Sequence, residues 1–392
     1  MNEKKFLFLY SAIIGMLPAL RIYVIAGPIS LDVLLMFALI VLLLDRIPHY
    51  KVNKESKAYF IATLLITVLS CVLHIVSLWF SPTLMLNNLF CIFVVAFPLI
   101  IMTDSIDVKT MLKVGFVIGI AASLIVIWQR VELITTGFYE KDMYLPWFEI
   151  NRDKDTIQMQ RPSAFFTEPA HLCIFLLPLF YCAFLCKKYI LAGLYVFAIL
   201  CSGGTTGYVG IAILSSWIFF NFGGRHKLLK AFSAFALIVG GYFIIINIFP
   251  EILLENSSKL NGTTSEDVRL LGPAKYLNYF ELPEMLAGVT LNQLYLFLMD
   301  KTNQFFDFRI NYCNALLNSM ISYGVLGVIS LIVYLKTLWT KYTEAKGFFL
   351  IFLLVLASDQ IFYNAHFLYL ATFVILSNKI YSISNNFSLV KA

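Results

Sequence analysis

Apolar residues fill this chain in long blocks separated by short polar links. A block of about 20 such residues, coiled as a helix, is long enough to cross a bilayer core of roughly 30 Å. Lipid offers the backbone no hydrogen-bond partners, so such a run must bond within itself, and helix is the expected form. The pattern predicts about twelve spans, at roughly 6–22, 28–44, 58–80, 84–102, 109–130, 168–186, 189–202, 205–222, 228–249, 313–335, 347–364 and 366–380. Arg21 and Pro28 interrupt a nearly continuous apolar stretch, so the first two spans could shift or merge. The first run lacks a small-residue cleavage site after it, which predicts a retained span rather than a signal peptide. The expected fold is all-α: one polytopic transmembrane domain over residues 1–392, without internal repeats or low-complexity tracts.

Composition strengthens this reading. Hydrophobic residues make up 60% of the chain and charged residues 13%, against about 45–50% and about 25% in soluble domains. The formal net charge of +6 is scattered among links rather than clustered on one face, which argues against nucleic acid as a partner. The scatter instead sets orientation. Lys4 and Lys5, Arg46, Lys51, Lys54 and Lys57, Lys109 and Lys113, Lys187 and Lys188, Arg225, Lys227 and Lys230, Lys336, Lys341 and Lys346, then Lys379 and Lys391 fall in alternate links. The basic side of a membrane protein is cytoplasmic, so both termini are expected inside. Two long loops, about 131–167 and 250–312, then lie outside and offer room for an aqueous site. The later part of the second, rich in tyrosine, leucine and phenylalanine, is expected to form short helices lying on the membrane surface.

The seven cysteines fall in or beside apolar runs. Cys182 and Cys186 lie one helical turn apart without a flanking histidine or carboxylate, so neither a zinc site nor a disulfide framework is expected. No P-loop, dinucleotide fingerprint, HExxH or serine-hydrolase elbow is present.

Chemistry concentrates in "RPSAFFTEPAH", Arg161 to His171. Pro162 disfavours helix at Arg161. Pro169 suits the first turn of a helix, which makes Thr167 or Glu168 the expected N-cap. His171 follows Glu168 by one turn on the same side. A cation, a carboxylate and an imidazole thus meet a helix N-terminus, whose free N–H groups favour an anion such as a phosphorylated lipid head. A plainer reading stands beside it: Glu168 caps the helix, Phe165 and Phe166 sit at the interface, and Arg161 meets headgroups.

Other candidates follow. Ser202 to Gly207 form a tight turn whose hydroxyls, including Thr205 and Thr206, and free N–H groups could also line a phosphate pocket. Arg309, beside Asp307 in the second loop, is either a phosphate ligand or an interfacial arginine. Arg130 ends the fifth span and could reach the same cavity or snorkel to the interface. Near the chain end, Asp359 is expected within a span, about two turns below His366 on one helix face. A carboxylate at bilayer depth costs roughly 2.5–3.5 kcal/mol, so Asp359 should face protein or water. Asp32 and His74 are expected in interhelical hydrogen bonds.

"RPSAFFTEPAH" before an apolar span, then "LCSGGTTGYVGIAI" across the next hairpin, resembles the O-antigen polymerase (Wzy) family, related to O-antigen ligases and C-type glycosyltransferases. "NSMISYGVLGVISLIVY", Asn318 to Tyr334, is similar to a segment after that family's large outer loop. The resemblance implies a C-type glycosyltransferase-like bundle in the bacterial inner membrane, with its active site facing the periplasm. It implies oligosaccharide units on undecaprenyl pyrophosphate as substrates, among membrane lipid, with a chain-length regulator as a candidate partner. The expected roles are pyrophosphate binding by Arg161, Arg309, Thr205, Thr206 and Arg130, and proton transfer by Glu168 or His171, with His366 as the alternate. No cofactor or metal is expected if arginines neutralise the diphosphate. Relatives commonly carry a basic residue in the hairpin; here Ser202 to Gly207 have none, so the charge must come from elsewhere. An O-antigen ligase and a non-enzymatic transporter or flippase of lipid-linked oligosaccharide are the alternatives.

Overall fold

The computed structural model describes residues 3–26, 29–42, 44, 51–103, 106–139, 149–150, 161–222 and 272–389. The polar break at Arg21 is real. Helix α1 (Glu3–Leu20) stops there, and strands β1 (Tyr23–Ala26) and β2 (Ile29–Ser30) lead into α2 (Leu31–Leu42). A third strand, β3 (Glu149–Ile150), pairs antiparallel with β1, giving the order β2-β1-β3. This small sheet departs from the all-α expectation, and the β-branched and aromatic run Tyr23–Ala26 suits it.

The remaining elements are helices. They are α3 (Lys54–His74), α4 (Pro82–Phe97), α5 (Val108–Thr136), α6 (Pro169–Leu185), α7 (Tyr189–Ser202) and α8 (Thr205–Phe222). After them come α9 (Leu282–Ala287), α10 (Leu294–Thr302), α11 (Ala315–Lys341), α12 (Gly347–Ser358), α13 (Ala365–Ile375) and α14 (Ser377–Leu389). Local chemistry sets several starts. Asn53, Ser81, Asp107, Asn314 and Asn364 each accept a hydrogen bond from a first-turn N–H of the helix they precede, which satisfies donors the helix itself cannot.

Among the described residues, four helices are long and apolar enough to cross a bilayer: Lys54–His74, Pro82–Ile101, Val108–Thr136 and Ala315–Lys341. Ala365–Ile375 and Ser377–Ser384, bent by 57°, make a fifth if counted as one broken span. Leu31–Val41, Pro169–Leu185, Tyr189–Ser202 and Gly347–Ser358 are shorter apolar helices. The span expected at 228–249 lies outside the described residues, as do 140–148, 151–160 and 223–271 of the chain. Helix α3 turns Leu65, Val68 and Val72 outward, and α5 turns out Val117, Leu124 and Val131. Apolar surface of this extent suits lipid rather than water, so the helices are those of a membrane protein.

Two helices are different. All 11 residues of α13 are buried, and α6 is buried from Leu172 to Ala183. A helix apolar all round belongs inside a bundle. The two touch through Phe175 and Tyr369, whose rings stack at 5.5 Å and whose Tyr369 hydroxyl donates to the Phe175 carbonyl. They form the centre, and each carries a histidine in its first turn.

The second loop is built where it is described. Short helices at Gly272–Tyr279, α9, α10 and Phe308–Asn311 match the expectation for its later part. They share a small core of Trp79, Val289, Leu294, Phe297 and Ile321. The loop is keyed into α11, which breaks at Gly324 (φ 63, ψ −163). The break frees helix carbonyls, and the loop takes them: Val289 N–H donates to Ile321 O and Thr290 N–H to Ser322 O, both at 2.9 Å.

Candidate functional site

Glu168 is the N-cap of α6, and Pro169 holds the first helical position. Yet the Glu168 side chain makes no capping bond. Its carboxylate turns to His171 instead, with Oε1 at 3.1 Å from Nε2. The Thr167 hydroxyl contacts the other ring nitrogen, Nδ1. Glu168 therefore does more than end a helix.

The segment before it is fixed by the outer end of α5. Gln129 accepts the Ala164 N–H at 2.9 Å, and the Tyr139 hydroxyl donates to the Arg161 carbonyl at 2.7 Å. Arg161 is half-buried, and its charge reaches Cys173 inside α6.

The hairpin between α7 and α8 lies against the same region. Gly203 adopts φ +74, a left-handed turn that favours glycine. A Cβ there would come within 3.3 Å of an Arg130 guanidinium nitrogen, and one on Gly204 would lie 2.8 Å from the Cys173 sulfur. Arg130 is buried, and its Nε donates to the Cys201 carbonyl at 2.7 Å. The hairpin has no cation of its own, but α5 delivers one onto it. Thr205 begins α8 and is exposed; Thr206 is half-buried. Arg130→Met should leave the Cys201 carbonyl buried without its donor, at a cost of about 1–3 kcal/mol. Thermal unfolding in detergent should show the lowered midpoint.

Across the bundle axis, α13 brings His366 to α6. The His171 and His366 rings stand 4.4 Å apart. Arg21, at the end of α1, places a guanidinium nitrogen 3.4 Å from His366 Nδ1. A guanidinium can only donate, so Nδ1 accepts and the ring proton belongs on Nε2. That Nε2 is buried without a hydrogen-bond partner among the described residues. His366 thus presents a donor, not a base. Asp32 lies within Arg21's electrostatic reach.

Asp359 corrects the sequence reading. It does not continue a helix toward His366: α12 ends at Ser358, and Asp359 is extended (φ −142, ψ 158). The chain then crosses to Asn364, which caps α13. Asp359 still reaches the site, its Oδ2 lying 3.9 Å from His171 Nε2.

No protein-family model and no curated protein matches the chain. The geometry therefore carries the functional reading.

Three expected residues gather, Glu168, His171 and His366; Arg130 lies on the α7–α8 hairpin, whose Gly204 abuts Pro169 of α6, and Arg161 opens the segment that leads to Glu168. Arg309 lies in the turn Phe308–Asn311, and its side chain is outside the described residues. Sequence reasoning missed Arg21 as a member and read a continuous helix from Asp359 to His366 where the chain breaks. His74, expected between helices, faces Glu284 of α9 at 3.8 Å and the Trp79 ring.

Proposed function

We propose that this chain is a membrane-embedded glycosyltransferase of the polymerase type, joining oligosaccharide units carried on undecaprenyl pyrophosphate. One observation carries the reading. A carboxylate–imidazole cluster lies at the shared end of the two helices that form the bundle centre, and the hairpin that holds Arg130 abuts the start of one of them at Pro169. The resemblance of Arg161–His171, the α7–α8 hairpin and Asn318–Tyr334 to O-antigen polymerases supports it. So does the alternation of basic links, which puts this end outside and both termini in the cytoplasm of a bacterial inner membrane. In this reading the bundle has about twelve spans, including 228–249, and its loops at about 131–167 and 250–312 are periplasmic.

The chemistry follows from charge. An acceptor hydroxyl attacks the anomeric carbon of the donor chain, a new C–O bond forms, and the bond to the diphosphate breaks with its electron pair on the leaving group. The diphosphate gains charge in the transition state, and fixed cations in a dry pocket stabilise it. Arg161 and Arg130 serve that end, because a guanidinium grips phosphate oxygens bidentately. Arg309 and the hydroxyls of Thr205 and Thr206 complete the grip. Glu168, steadied by His171, takes the acceptor proton. His366 Nε2–H hydrogen-bonds a substrate oxygen. A chain-length regulator would act outside this site.

The test is Arg161→Ala and Arg161→Lys in a strain deleted for the chain, with surface polysaccharide separated on a gel. Loss of long chains is expected, with a single capped repeat unit remaining and poor rescue by lysine. Normal chain lengths with Arg161→Ala protein in the membrane would refute the role. A bare core after deletion would assign a ligase instead.

A further inference from the structure

We infer that Glu168, His171 and Asp359 form a binding site for a divalent cation of the Mn2+ or Mg2+ class. Glu168, His171 and Asp359 come from two separate segments, and each offers one ligand atom within 4.8 Å of the other two. With bonds of about 2.1 Å, neighbouring ligands of an octahedral ion stand about 3 Å apart and opposite ones about 4.2 Å. The observed separations from the imidazole, 3.1 Å to Glu168 and 3.9 Å to Asp359, fall between these limits.

Two further observations point to an ion. Asp359 is 8% exposed. Its Oδ1 accepts the Gln360 N–H at 2.7 Å, while Oδ2 is buried, has no hydrogen-bond donor among the described residues and faces the cluster. A carboxylate oxygen desolvated without a donor is costly, and a cation removes that cost. The second observation is at His171. A metal-binding histidine usually donates its other ring N–H to an outer partner, and the Thr167 hydroxyl stands at Nδ1 for that purpose. Nε2 then offers its lone pair to the shared space. Two carboxylates and one imidazole, without a thiolate, suit hard to borderline ions.

The role of the ion rests on the polymerase reading; the site does not. Three protein ligands leave coordination positions open. An acceptor hydroxyl bound at one of them loses its proton more readily. The second carboxylate oxygen of Glu168 receives that proton, and the diphosphate departs with the electron pair of its broken bond.

The experiment uses the full chain purified in detergent, stripped with chelator, dialysed and titrated with MnCl2, with free Mn2+ read by electron paramagnetic resonance. We expect one saturable equivalent, displaced by Mg2+. Asp359→Asn and His171→Gln, each monodisperse with a wild-type thermal midpoint, should bind at least about tenfold more weakly. A wild-type chain without a saturable equivalent overturns the site, as does unchanged affinity in both variants. The two proposals fail separately. Mn2+ binding without extension of lipid-linked units would sink the polymerase reading alone. Extension by chelator-stripped protein that binds no Mn2+ would sink the cation site alone.

Discussion

In the proposed polymerase, Glu168→Gln is expected to slow chain extension by about 10²–10⁴-fold while leaving the protein intact. Glutamine keeps the size of the side chain but cannot take a proton. The fold should tolerate it, because the Glu168 carboxylate makes no capping bond to lose. His366→Ala should cost less than Glu168→Gln, since His366 is a donor rather than the proton acceptor. The measurement is the rate at which purified protein elongates labelled lipid-linked repeat units, at saturating donor and acceptor. A Glu168→Gln protein extending chains at the wild-type rate would leave the acceptor proton without this carboxylate as its base.

Gly324→Ala is expected to have the largest effect on folding. Its backbone (φ 63, ψ −163) is nearly restricted to glycine, and forcing another residue into such a region costs about 1–3 kcal/mol. Space is a harsher limit. A Cβ at Gly324 would lie 2.4 Å from the carbonyl carbon of Leu286, which is backbone and cannot swing aside. Gly288 makes the reciprocal contact: its Cβ would lie 2.3 Å from Ser322 C, and its carbonyl accepts from the Ser70 hydroxyl at 2.8 Å. Either substitution should undock α9 from α11 and remove most monodisperse protein from detergent extracts. Gly193→Ala is the control. Nothing lies within 4 Å of a Cβ there, and alanine is the better helix former by about 1 kcal/mol. Fluorescence-detected gel filtration and thermal midpoints separate the three. A Gly324→Ala chain as stable as wild type would mean that the loop is not keyed into the break.

The sequence showed much of the local structure of the site. Pro169 at the first helical position marked the start of α6, and the spacing of Glu168 and His171 put them on one turn. Glycines marked the α7–α8 turn. Its partner was harder to see, because Arg130 is more than 70 residues from Gly203 in the chain and only packing of α5 against α7 joins them. Arg21 was harder still. It reads as a polar break between two apolar runs, and periodicity does not say which helix ends are neighbours. Asp359 misled for another reason. "SDQIFYNAH" is apolar enough to read as continuous helix, although Asn364 carries a capping signal. A residue with positive φ, Tyr363, precedes that cap and lets the chain change direction. The break at Gly324 is equally quiet: Gly327, three residues on, sits in regular helix, so a glycine alone does not mark the break.

The contact between Arg21 and His366 joins residues 345 positions apart. At a synthesis rate of about 5–20 residues per second, Arg21 emerges roughly 20–70 s before its partner exists. Throughout that interval the guanidinium at the end of α1 has no imidazole to meet. A ribosome stalled within α12 therefore leaves a nearly full-length polypeptide in which Arg21 and His171 both still lack the histidine of α13.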